Sequence, residues 1–221
     1  MHLRSCAIGA VLLLLAATST GAQQGQAVTM PIPEVKLPAS PRGTAQVQVA
    51  GAWVKTQDGG QRYDGGKWIT IDYGRPILRG RQNIFGSGAE YGKVISDGGP
   101  VWRAGANETT RLTTQAALEM GGTTITPGVY NLFVELKEGA WTLVLSNQPV
   151  QPKYDPNDKV NLFGVYNYNP KFDIVRVPMT LMGSSVSVEQ FTIGFVNMTE
   201  GGGSIAMWWD KAFAVADFKV R

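Results

Sequence analysis

The residues best suited to chemistry lie between Tyr73 and Thr114. Arg75, Arg79, Arg81, Arg103 and Arg111 fall within 37 residues, interleaved with glycines and with Tyr73, Phe85, Tyr91 and Trp102. A guanidinium is a planar fork of donors that matches carboxylate, phosphate or sulfate groups. One reading therefore turns Arg75, Arg79, Arg81, Arg103, Asn107 and Glu108 toward a concave surface as a ligand site. A second reading is structural: the same groups satisfy one another and the loop carbonyls, because charges withdrawn from water need partners. Arg103 and Glu108 flank the small Gly105-Ala106 pair, and the expectation is that they share one polar network with at least one of Arg75, Arg79 or Arg81. A third reading is catalytic. Glu108 would serve as general acid or base, with Asp72 or Glu189 as the second carboxylate, in the manner of glycoside hydrolysis.

The rest of the inventory narrows these readings. The chain has one cysteine, Cys6, and one histidine, His2. If the N-terminal segment is removed, no Ser-His-Asp or Cys-His arrangement can form. Disulfides, the usual zinc ligand sets and histidine-ligated haem go with it. No cofactor and no metal site is expected. Loss of residues 1–22 removes only Arg4 among the charges and leaves 19 basic against 17 acidic residues. So balanced a charge gives no basis for nucleic-acid binding. Gly98-Gly99-Pro100 and Gly201-Gly202-Gly203 read as turns, and Phe85-Gly86-Ser87-Gly88 lacks the helix that a phosphate cradle requires.

Residues 1–22 read as a signal peptide. Ala7 to Ala17 is an unbroken small and apolar run, about half of the roughly 20 residues that a spanning helix needs. Thr20 and Ala22 suit the −3 and −1 positions of a signal peptidase site, which would leave Gln23 first and no transmembrane segment in the mature chain. The protein is accordingly expected to be exported, to the periplasm or the medium. Residues 23–44, rich in Gln, Pro and small side chains, read as a flexible leader. Residues 45–221 are then one domain.

That domain is written in strands. Val47 and Val49 alternate with Gln46 and Gln48, and Ile69, Ile71 and Tyr73 share one face opposite Thr70 and Asp72. Further strand-length runs are Tyr130–Leu136, Trp141–Leu145, Ile174–Val177, Val186–Val196, Ser204–Trp209 and Phe213–Val220. Val129 to Leu145 reads as a hairpin across Lys137-Glu138-Gly139-Ala140. Thr114–Met120 allows one helical turn at most. The expected fold is mainly β, a single-domain antiparallel β-sandwich or barrel-like architecture. Most of the six tryptophans should pack in the core, and alternation should turn one of Trp208 and Trp209 outward.

Several runs together resemble a known family. VWRAGANETT (Val101–Thr110), YGRPILRGRQNIFG (Tyr73–Gly86), EYGKV (Glu90–Val94) and TPGVYNLFVEL (Thr126–Leu136) are similar to the bacterial secreted proteins grouped as domain-of-unknown-function family 2911. WTLVLSN (Trp141–Asn147), the Asp173–Val177 run with Arg176, and VEQFTIGF (Val188–Phe195) are similar as well. The resemblance spans about Trp68 to Val220. Ala104 departs from it, standing where the pattern suggests Thr. It implies a predominantly β fold and export, and it supplies no activity.

The functional expectation is a non-catalytic structural or ligand-binding β domain with an Arg/Glu polar loop. Its partner would be a small molecule or an envelope component. The alternative is a carboxylate-dependent hydrolase acting on a saccharide or related envelope substrate.

Overall fold

A computed structural model describes residues 38–221. The signal-peptide segment and residues 23–37 of the leader lie outside the described residues. Within them the chain is mainly β, and its antiparallel sheets pack as a sandwich-like single domain. The first sheet has six strands in the order β1 (Arg42–Val49), β4 (Lys67–Gly74), β5 (Arg111–Thr114), β8 (Gly128–Lys137), β9 (Ala140–Ser146) and β10 (Asp173–Pro178). The second has four, in the order β11 (Thr180–Thr199), β12 (Gly202–Val220), β6 (Leu118–Met120) and β7 (Thr123–Ile125). A separate ribbon pairs β2 (Ala52–Lys55) with β3 (Gln61–Asp64).

Alternation sets the inner face. Ile69, Ile71 and Tyr73 of β4, Leu112 of β5, Leu132 and Val134 of β8, and Leu143 and Leu145 of β9 point into the core. They meet Phe191 and Ile193 of β11 and Ile205, Met207 and Trp209 of β12. The hairpin expected over Val129–Leu145 forms, with Lys137 opposite Ala140. Thr114–Met120 holds no helical turn: it closes β5 and forms β6, because Leu118 and Met120 alternate inward with Glu119 between them. Ser204–Trp209 and Phe213–Val220 belong to one continuous strand. Asp210, at φ 48°, lies in the left-handed region, and the pairing register shifts beside it. The strand therefore bends there without ending, as at a β-bulge.

Two features join the sheets. β10 runs through Met179 directly into β11, so one ribbon leaves the first sheet and enters the second. The Tyr73 hydroxyl, at the end of β4, accepts from the Ile193 amide at 2.9 Å and reaches the Ile193 carbonyl at 3.3 Å. Residues 76–78 then run beside β11: the Leu78 amide donates to the Glu189 carbonyl, and the Phe191 amide to that of Pro76.

The outer face of the six-stranded sheet is only partly open. Residues 147–172 cross it, burying Leu162 and Val165 against Val101, Phe133 and Val144. The buried Gln148 holds this roof in place. Its amide nitrogen donates to the carbonyls of Val160 and Asn167, and its amide oxygen accepts from the Asn169 backbone. Among the described residues no helix is long and apolar enough to cross a membrane.

Candidate functional site

The two stretches richest in arginine close one end of the sandwich. Beneath them lies an aromatic cluster. Trp102 is 1% exposed and stacks on Trp209 with ring centroids 5.9 Å apart. Phe85 packs against Trp141 at 4.8 Å, and Phe191 against Trp102 at 4.8 Å. Trp209 thus points inward and Trp208 outward, where it lies against Phe213. Trp53 and Trp68 depart from the expected core packing. Trp53 stands 67% exposed on the β2–β3 ribbon beside Tyr63, and Trp68 faces outward from β4.

The Trp102–Thr110 loop is fastened by its own side chains. The Trp102 indole donates to the Gly105 carbonyl at 3.2 Å, and the Thr110 hydroxyl donates to the Ala104 carbonyl at 3.0 Å. Arg103 donates to the Asn107 carbonyl at 2.8 Å and forms an ion pair with Asp97. Glycine is needed where the loop crosses β4, because a Cβ on Gly74 would collide with the Ala106 carbonyl. Ala104 and Asn107 adopt φ of 47° and 64°, and Asn tolerates this region better than most residues. The roof presses on Arg103 at Gly164, whose carbonyl accepts from the Thr109 hydroxyl at 2.9 Å. The Arg103 side chain is 13% exposed, and burial pushes its pKa below the ordinary arginine value.

The expected common network does not form. Glu108, 63% exposed, forms its ion pair with Arg42, a residue of the segment read as leader. Arg103 turns to Asp97 instead, under the roof. Arg75 lies over Gly43 and reaches β11, donating to the Phe191 carbonyl at 3.3 Å and the Thr192 hydroxyl at 3.0 Å. Arg79 contributes its backbone amide, which donates to the Glu189 carboxylate at 2.9 Å. Arg81 donates from Nε to the Leu78 carbonyl at 2.9 Å and from Nη2 to the Ile77 carbonyl at 2.8 Å. Arginines here find backbone carbonyls more often than carboxylates.

The six candidates do not converge: Arg81 lines one hollow, Asn107 and Glu108 another, Arg103 lies inside its loop, and Arg75 and Arg79 line neither. Asn107 and Glu108 line a hollow of about 400 Å³ on the outer face of the first sheet, together with Arg42, Thr44, Asp72 and Arg111. Asp72 is the second carboxylate of the catalytic reading, and it does share this hollow with Glu108. It accepts from the Thr44 hydroxyl at 2.6 Å, and both carboxylates are exposed and already partnered. Neither has the apolar surroundings that set a general acid apart from its neighbour. Glu189, tied to Arg79, lies outside this hollow.

Arg81 lines a larger groove of about 750 Å³. Phe85, Tyr91, Leu181, Met182 and Ala212 supply its apolar surface, and Glu138, Ser187, Asp210 and Lys211 its polar rim. One wall is the loop after β4, and the other is the bent part of the β11–β12 hairpin. The Arg81 guanidinium lies 5.8 Å from the Trp209 ring centroid. Tyr91 accepts from the Trp141 indole at 2.9 Å. Burial raises the Tyr91 phenol above its ordinary pKa, and the Glu138 carboxylate adds to the rise. The phenol is therefore a neutral hydrogen-bonding group at physiological pH. Asp210 and Lys211 did not stand out in the sequence as site residues. Their signal was a charged pair interrupting the apolar run from Ile205 to Ala216.

The geometry is thus an antiparallel sandwich whose loop after β4 covers an aromatic cluster and borders a groove. The chain belongs to the family described as Protein of unknown function (DUF2911), which it matches over residues 56–218. No curated protein and no solved structure matches the chain.

Proposed function

We propose that this is a non-catalytic, ligand-binding β domain of an exported protein, and that its site is the groove between the 81–91 loop and the bent β11–β12 hairpin. The observation that carries this reading is the groove's composition and size. A volume of about 750 Å³ with an aromatic and aliphatic floor and a few polar groups at the rim suits a small organic molecule. The 400 Å³ hollow is a weaker candidate, because it is smaller and Arg42, Glu108 and Asp72 in its lining already hold partners. Export is supported by the apolar run from Ala7 to Ala17 and the small residues before Gln23. The medium or the envelope would then supply the ligand.

Thermal unfolding of the purified protein in the presence of sugars, organic acids and single-chain amphiphiles tests the site. A ligand at a hundred times its Kd adds about 2.7 kcal/mol of stability and raises the midpoint by several degrees. Ala212→Trp, which fills the groove from a partly buried position on β12, should abolish the rise. A rise that survives this substitution places the ligand elsewhere. For export, N-terminal sequencing of the secreted protein should begin at Gln23, and a start at Met1 would refute it.

A further inference from the structure

The groove's charged groups differ in how much of their bonding capacity is in use. Arg81 is held rigidly: Nε and Nη2 each donate to a carbonyl of its own loop, and the guanidinium lies beside the Trp209 ring. That leaves Nη1 and the outer Nη2 hydrogen without a partner. Lys211, exposed on the opposite wall, makes no ion pair among the described residues. The rim carboxylates are engaged. Glu138 accepts from the Gly88 amide at 2.8 Å, and Asp210 from the Ser187 hydroxyl at 2.8 Å. No ion pair joins either carboxylate to Arg81 or Lys211. Two under-used cations thus border an apolar floor, and one of them is fixed in place before any ligand arrives.

We infer that the groove takes a single-chain amphiphile with a carboxylate head, the head bound by Arg81 and Lys211 and the chain lying on Phe85, Leu181 and Met182. This rests on the groove being the ligand site. A preorganised guanidinium binds a carboxylate through parallel N–H donors at little conformational cost. The head should be a monoanion, because Glu138 and Asp210 remain on the same rim and repel a second negative charge. The floor fixes the other end of the ligand: Phe85 is buried, whereas Met182 is 42% exposed until something covers it.

The test is calorimetric titration of the purified protein with decanoate, decanol, decylamine, decyl phosphate and acetate, the ionic amphiphiles below their micelle concentrations and decanol below its solubility limit. Decanoate should bind roughly tenfold more tightly than decanol, the scale of a charge-assisted contact. Acetate should not bind measurably. Lys211→Ala should weaken decanoate by roughly threefold to fivefold and leave decanol unchanged. Equal binding of decanoate and decanol, both lost in Ala212→Trp, overturns the carboxylate assignment and keeps the groove. Tighter binding of decylamine or of decyl phosphate also overturns it, as does a Lys211→Ala variant that still prefers decanoate tenfold. If no compound binds, or if binding persists in Ala212→Trp, the groove itself fails as the site and the inference fails with it.

Discussion

Residues 101–110 and residues 81–91 both resemble the same family, and they use their polar groups in opposite ways. In the first stretch four side chains turn back onto the protein, while Asn107 and Glu108 stay exposed at the smaller hollow. Trp102, Arg103 and Thr110 each bond a carbonyl of their own loop, and Thr109 bonds the roof. In the second, Arg81 also rests on carbonyls, but its remaining donors and the face of Tyr91 line a groove. Density of charged and aromatic residues therefore does not by itself mark a site. What differs is whether the groups have capacity left once the loop is built.

Substitutions can sharpen or break that contrast. Trp102→Ala should have the largest effect on stability, about 3–5 kcal/mol in urea melts, because it removes a fully buried ring from the aromatic cluster. Arg103→Ala comes next, at about 2–3 kcal/mol. It strips partners from Asp97 and from the Asn107 carbonyl at a largely buried position. Glu108→Ala should cost less than about 1 kcal/mol, because its pair with Arg42 is exposed. The Arg103→Ala, Glu108→Ala double variant should add the two effects to within about 0.5 kcal/mol. A larger coupling would restore the shared network that the geometry lacks. Lys211→Ala should have the smallest effect on the melt, within about 0.5 kcal/mol as for other exposed substitutions. A loss above 2 kcal/mol at Lys211 would mean that the groove rim is as structural as the 101–110 loop.

The strands were legible because burial imposes a period of two. Ile69, Ile71 and Tyr73, and the hairpin on either side of Lys137–Ala140, show it plainly. The assignment of strands to sheets was not legible, because the chain crosses from one sheet to the other at Pro178-Met179 with strand on both sides and no turn cluster between them. Asp210-Lys211 resembles a turn in sequence and is a bend inside a strand. At the site, the arginines were identified but their partners were not. Backbone carbonyls leave no trace in sequence, so the anchoring of Arg75, Arg81 and Arg103 could not be read there. The acidic partners were hidden for a related reason. Asp97 sits in a Ser-Asp-Gly-Gly-Pro turn, and Glu108 pairs with Arg42, which composition groups with the leader.

The passage of β10 into β11 through Met179 has a mechanical consequence. The groove wall at Leu181–Ser187 continues directly from an edge strand of the other sheet, with Met179 as the joint. Met179 is buried, and its amide donates to the Trp141 carbonyl at 2.9 Å. Beyond this joint Leu181, Met182 and Gly183 pair with Ala214, Phe213 and Ala212 of β12, so the wall is tied to both sheets. A molecule wedged into the groove would press on this wall, and the load is expected to pass through Met179 to the amides of Val175 and Val177. Slowed hydrogen exchange at those two positions on ligand binding would register the load at the far end of the ribbon.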